Sequence, residues 1–330
     1  MTSSTTVEFI DRASALALLP RRDATAHKWG VGGLVIVGGA RGYIGAPALA
    51  AMGAARSGAG IVSLAIPRSS VGATAALVPE AVFVPMPETD SAHGVQQAIA
   101  LLEPHIAKSK ALLIGPGLSR DAAATALLSG IFGENTSTAT RSMGFGSIAR
   151  EASGESRSTL LDGSIPAVVD ADALHWLSEQ ESWWTKVAPG SLVLTPHVGE
   201  LAALTIRHAD VILADPASAA KDAAEAFGQV IVLKAGKAYI SDGTVVRTVE
   251  TAAPALATAG TGDVLAGSIA AFLAQGLEAV DAAALAVYAG TQAALRLTQE
   301  LSSLGVVASD LPEAIARILA ELEIESAGTS

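Results

Sequence analysis

At 330 residues, half of them hydrophobic and few aromatic, the chain can bury a large core of Ala, Val, Leu and Ile, while its formal net charge of −11 offers no general basic face to nucleic acid or to an anionic membrane surface. The absence of cysteine excludes disulfides, cysteine-ligated metal and thiol nucleophiles. No signal peptide is visible in Met1 to Val7, and the Ala-rich stretch 281–297 is broken by Asp281, Gln292 and Arg296, short of the roughly 20 apolar residues of a membrane span, so a cytoplasmic protein with neither nucleic acid nor membrane as partner is expected.

In chain order, residues 8–19 read as a short amphipathic segment and 20–28 as a polar lead-in. Residues 33–39 read as a buried strand ending in a glycine turn, and 46–57 as a helix stopped by Gly58 and Gly60. Further strands are predicted at 61–66, 81–84, 112–114, 168–169, 192–194 and 230–233, most of them short, apolar and separated by helical patterns. That alternation predicts a mainly parallel sheet with helices on both faces, a three-layer α/β/α domain spanning 1–330. Ligands bind such sheets beyond the carboxyl ends of the strands. The glycine, proline and charged clusters fall there: Gly38-Gly39, Gly115-Pro116-Gly117, Asp170, Thr195-Pro196-His197 and Lys234-Ala235-Gly236. Five clusters on one rim read as one site. Residues 133–164, rich in Ser, Thr, Gly and Arg, break the rhythm and read as a flexible surface insertion, either disordered or a lid.

The most informative stretch is 258–267, Thr-Ala-Gly-Thr-Gly-Asp-Val-Leu-Ala-Gly. Val264, Leu265, Ile269, Phe272 and Leu273 recur at helical spacing, so a glycine turn feeds directly into a helix. The first amides of a helix lack internal partners and carry the positive end of its dipole, which makes Gly260, Thr261 and Gly262 a candidate anion hole. Asp263 either caps that helix or accepts a proton beside a bound phosphate. No P-loop, GxGxxG fingerprint, paired histidine metal site or GxSxG elbow is present, and no metal ligand is assigned.

The ordered set VIVGG, LLIGPGLS, VVDADAL, LTPHVGEL, VLKAGK and TAGTGDVLAG resembles the NAD(P)H-hydrate dehydratases of the ribokinase-like superfamily, from about Gly30 to about Arg296. The resemblance implies repair of hydrated NADH and NADPH with ADP or ATP as phosphoryl donor, Mg2+ as cofactor, and a homo-oligomer. It implies that Asp263 is the base, that Lys234, Ala235, Gly236, Lys237, Ala238 and Gly262 hold the AMP portion of the nucleotide, and that Ala46, Gly117, His197 and Asp263 hold the hydrated nicotinamide cofactor. An epimerase domain precedes the dehydratase in many relatives; here the first predicted strand opens at Gly33, so a separate epimerase is the expected pathway partner.

Each position has a plainer reading beside it. His197 also suits a hydrogen-bonded structural role and the pair Asp170 and Asp172 a strand-end turn, Glu200 suits a cap on the helix opening at Val198, Gly117 suits a turn and Ala46 close packing. Two departures stand out: Ser119 where relatives commonly carry glycine, and Ala238 where they carry threonine. A vitamin or sugar kinase of the same superfamily, or a non-catalytic nucleotide-binding sensor, would share the anion hole.

Overall fold

The computed structural model describes residues 6–133, 160–161 and 163–328. Its strands are β1 Val7–Phe9, β2 Gly33–Val37, β3 Ile61–Pro67, β4 Val82–Met86, β5 Ala111–Ile114, β6 Ala167–Val169, β7 Leu192–Leu194, β8 Val230–Ala235, β9 Lys237–Ser241 and β10 Val246–Thr248. They form one sheet in the order β1-β10-β9-β8-β7-β6-β5-β2-β3-β4. From β8 to β4 every neighbouring pair is parallel, while β9 runs antiparallel to β8 and to β10.

The helices are α1 Arg12–Leu18, α2 Lys28–Val31, α3 Gly45–Arg56, α4 Val71–Ala75, α5 Ala92–Ile106, α6 Ala122–Ile131 and α7 Asp172–Ser178, then α8 Val198–Thr205, α9 Ala209–Ala214, α10 Pro216–Phe227, α11 Thr261–Ala274, α12 Ala279–Gly305 and α13 Leu311–Gly328. Strand side chains alternate between faces. Leu34, Ile36, Leu64 and Leu113 therefore join a core with α1, α3, α11, α12 and α13. Val35, Val37, Leu112 and Ile114 join a second core with α5 to α10. The result is the expected three-layer arrangement.

Two features position the rim. After β4 the chain returns to place β5 beside β2, so the direction of strand order reverses between them. The turns after these two strands are tied together there, the Gly39 amide donating to the Pro116 carbonyl at 2.8 Å. Second, α11 lies against α3 with backbone almost touching backbone. A methyl group on Gly267 would overlap the Ala50 carbonyl, and one on Gly53 would press on the Val264 carbonyl. The residues predicted at helical spacing justify this burial: Val264, Ile269, Phe272 and Leu273 are all buried, each contributing roughly 1.5–3 kcal/mol.

The strands read from the sequence are all present, with ends shifted by a residue or two. The strands β1, β9 and β10 were not anticipated; residues 8–19 divide between the end of β1 and the short α1. Most of the insertion expected at 133–164 lies outside the described residues. Leu161, near its end, is buried in the core shared with α5 to α10.

Candidate active site

The site begins at the start of α11. Gly260 is the N-cap residue with φ +89, a backbone setting that favours glycine, and no side chain caps the helix. Asp263 stands inside the first turn and does not act as the cap. The Thr261 hydroxyl donates to the Leu256 carbonyl at 2.7 Å and the Thr258 carbonyl at 2.9 Å, which closes the loop on itself. Of the residues expected in the anion hole, Thr261 also spends its amide on Thr258, at 3.4 Å. Among the described residues no carbonyl accepts from the Gly262 or Asp263 amides, which remain for a ligand at the positive end of the helix dipole.

The charge facing that turn comes from three strand ends. Asp170 follows β6, Thr195 follows β7, and Lys234 lies near the end of β8. Asp170 Oδ1 accepts from the Thr195 hydroxyl at 2.6 Å and from Lys234 Nζ at 3.0 Å. The same Nζ stands 3.3 Å from where a Cβ on Gly262 would be, so a side chain there would contact the ammonium. Burial alone would lower the Lys234 ammonium, but Asp170 and then Glu200 outweigh it and hold it above its ordinary range. Burial pushes the Asp263 carboxyl up to about 7; the Asp170 charge adds to the rise and Lys234 opposes it. A carboxylate half-ionised near neutrality suits proton transfer.

The Thr195-Pro196-His197 cluster leads into α8. His197 is the N-cap: its Nδ1 accepts from the Glu200 amide at 3.1 Å, and Glu200 Oε2 accepts from the His197 amide at 2.7 Å. The cap expected of Glu200 is therefore present, with the imidazole as its reciprocal half. Burial also pushes the Glu200 carboxyl up to about 7 against the pull of Lys234. Partial burial, and then the Lys234 charge, holds the His197 imidazole below its usual range.

Two cavities adjoin the cluster. The larger, about 540 Å³, is lined by all six residues expected to hold nucleotide: Lys234, Ala235, Gly236, Lys237, Ala238 and Gly262. The Lys237 ammonium is nonetheless occupied, donating to the Glu250 carbonyl at 3.2 Å and lying 5.8 Å from the centre of the Phe9 ring. The rest of that wall is largely apolar, with Leu256, Leu265, Val287, Leu311 and Ile315, and suits a flat base. The smaller cavity, about 400 Å³, lies at the reversal of strand order and includes Gly38, Gly39, Arg41, Glu88, Ser119 and Asp121. Ser119 reaches the charge cluster by donating its amide to Asp172 Oδ2 at 2.9 Å.

Of the residues expected to hold the hydrated cofactor, Ala46 and Gly117 face each other: a Cβ on Gly117 would come 3.1 Å from that of Ala46. Close packing accounts for both small residues, beside the smaller cavity rather than on its lining. His197 lies on neither lining, and Asp263 shares the charge cluster with Asp170, Lys234 and Asp172. Sequence reasoning left Asp170 with a plain turn as its rival; the Thr195 and Lys234 contacts are what separate the two. The apolar wall from α11, α12 and α13 was missed because its residues follow the same spacing as core.

Residues 34–317 match the family model described as NAD(P)H-hydrate dehydratase. The bifunctional NAD(P)H-hydrate repair enzymes of Moorella thermoacetica and Salinibacter ruber are 35% and 36% identical to this chain, covering 93% and 94% of it and 53% and 52% of their own lengths. The chain thus spans about half the length of the curated relatives it matches. The ADP/ATP-dependent NAD(P)H-hydrate dehydratase of Bacillus subtilis, co-crystallised with ATP and Mg2+, superposes with a TM-score of 0.74 at 24% identity, covering 97% of this chain and 100% of that one. A ribokinase-like superfamily protein from Enterococcus faecalis gives a TM-score of 0.76 at 22% identity, covering 96% of each chain. These two share the fold, which is ribokinase-like. With a family model that spans nearly all of the sheet and relatives of one kind aligned along almost its whole length, the chain belongs to the NAD(P)H-hydrate dehydratase family.

Proposed function

We propose that the protein returns hydrated NADH and NADPH to NADH and NADPH, using the terminal phosphoryl group of ADP or ATP. The observation that carries this reading is the clustering of Asp263 with the Lys234 ammonium and the Gly262 turn, the latter two lining the larger cavity. A base, a fixed cation and open helix amides are the parts phosphoryl transfer needs.

In this mechanism the larger cavity takes the nucleotide, its apolar wall against the base and its phosphates toward Lys234 and the amides of α11. The nicotinamide ring, entering from the side of Gly117 and Ser119, presents its hydroxyl to Asp263. As the hydroxyl oxygen bonds to the terminal phosphorus, Asp263 takes its proton and the bond to the leaving nucleotide breaks. Hydroxide is a poor leaving group, whereas phosphate is a good one. The ring nitrogen lone pair then expels phosphate, and loss of a proton from the neighbouring ring carbon restores the double bond. The described residues hold no group of three potential metal ligands. Mg2+ would accordingly be carried largely by phosphate oxygens and water, where it would neutralise charge on the nucleotide.

The reading includes a separate epimerase that supplies the reactive stereoisomer, and a homo-oligomer, which light scattering of the pure chain checks. The deciding experiment incubates pure protein with hydrated NADH, Mg2+ and ADP or ATP while following reduced-cofactor absorbance. Recovery of absorbance with one phosphate released per cofactor is expected. Nucleotide binding without recovery would reduce the protein to a sensor, and a stable phosphorylated small molecule would make it a kinase.

A further inference from the structure

Asp170 is almost completely buried, at 2% exposure, a placement that is costly for a carboxylate without partners. Two donors converge on a single oxygen of it, the Thr195 hydroxyl and Lys234 Nζ. The three residues come from consecutive strand ends, and the backbone fixes each. The Asp170 amide donates to the Ile114 carbonyl at 3.0 Å, the Thr195 amide to Val169 at 3.1 Å and the Lys234 amide to Pro196 at 2.8 Å. By contrast, a lysine ammonium rides on a flexible four-carbon stem and needs an anchor to stay in one place.

We propose that Asp170 is a positioning residue: its carboxylate, oriented by the Thr195 hydroxyl, holds the Lys234 ammonium against the Gly262 turn and away from the Asp263 base. The charges around that ammonium explain why an anchor matters. Lys234 faces Asp170, Glu200 and Asp263; Asp263 in turn faces Asp170, Lys234 and Asp172; Glu200, beside His197, also feels Arg120. An unanchored ammonium among these groups would pair with Asp263 and quench its basicity. Held on Asp170, it stays beside the turn where a transferred phosphoryl group would arrive, and Asp263 keeps its raised proton affinity. The consequence for turnover rests on the phosphoryl-transfer reading above; the ion pair and its anchoring do not.

The test uses the full chain labelled with 15N-lysine, with and without Asp170→Asn, which preserves shape and an acceptor for Thr195 while removing the charge. In the wild type, Lys234 Nζ should give an ammonium signal protected from solvent exchange, and Asp170→Asn should abolish that protection. In turnover the substitution should lower kcat by about 10–100-fold and shift the acid limb of the pH profile to lower pH by about one unit, with nucleotide binding weakened as Lys234 leaves the turn. Because the Asp170 charge itself raises the Asp263 carboxyl, the acid limb would move on loss of that charge alone; the loss of exchange protection at Lys234 Nζ is the readout specific to anchoring. Wild-type Lys234 protons exchanging as fast as those of surface lysines would overturn the inference, even if Asp170→Asn failed to fold. So would a Lys234 signal and pH profile indifferent to the substitution. Protection that depends on Asp170, in a wild-type protein that leaves hydrated NADH unchanged, would count against the dehydratase reading alone.

Discussion

Asp263 is under two opposed demands. Its carboxyl is raised to about 7 by burial and by the Asp170 charge, so the folded protein binds its proton more tightly than the unfolded chain does. That contribution to stability is complete below the ordinary carboxylate range and is lost as pH rises through about 7. The proposed mechanism needs the opposite state, with Asp263 ionised. Asp263→Asn should accordingly lower kcat by roughly 10²–10⁴, with nucleotide affinity far less affected. At pH 8 the same variant should melt at a higher temperature than the wild type, the gain being at most about 4 kcal/mol, and the difference should vanish at pH 4. Calorimetry at the two pH values checks the sign. In the wild type, kcat should climb with pH through about 7 as the base ionises. The glycine-to-helix transition around Asp263 was legible from residue spacing, whereas its choice between cap and base was not. What the sequence does not show is Gly260 in the cap position and the charge of a buried aspartate just after β6, a neighbour far away in the chain.

At the scale of elements, the contact of α3 with α11 sets where the turn before α11 stands relative to the sheet. The two helices approach through Gly53 and Gly267 because a Cβ at either position would press on a carbonyl of the other helix. Gly267→Ala therefore forces the pair apart and should cost about 1–3 kcal/mol, read as a lowered Tm, with weakened nucleotide binding as the turn at Gly260 to Gly262 shifts. An unchanged Tm would mean that the helices separate freely and do not fix the turn. The parallel strands were legible because each is a short apolar run ending in a turn residue. The strands β9 and β10 were not. Their sequences, Lys237 to Ser241 and Val246 to Thr248, mix small, polar and apolar residues, and β1 offers only three residues to a pattern. Pairing with neighbours supplies what their own periodicity lacks.

For the molecule as a whole, the reversal of strand order between β2 and β5 opens the smaller cavity, while the apolar helices α11 to α13 wall the larger one. The rim was legible because glycines, prolines and charges recur just after strand ends. The division into two cavities was not, since it depends on how distant helices close over the sheet. Both openings belong to a chain with a formal net charge of −11. A nucleotide approaching it is repelled at long range, and salt screens that repulsion. The association rate constant of ATP should therefore rise by about twofold or more between 10 and 150 mM salt, roughly the span over which the screening length falls from 30 to 8 Å. Stopped-flow measurement of a rate that falls instead would reveal a local positive field strong enough to override the whole.

The segment 234–238, a candidate ligand-holding stretch with an alanine in place of a threonine, is the end of one strand, a turn at Gly236 and the start of the next. Lys234 pairs with Ala238 and Ala235 with Lys237, and the Ala238 carbonyl accepts from the Thr248 hydroxyl at 2.8 Å. The main chain is thus held by backbone pairing on both sides of the turn at Gly236. Side chains along such a hairpin can change one at a time while the paired strands keep its course, so in the proposed nucleotide site a single substitution would alter a contact without moving the scaffold beneath it.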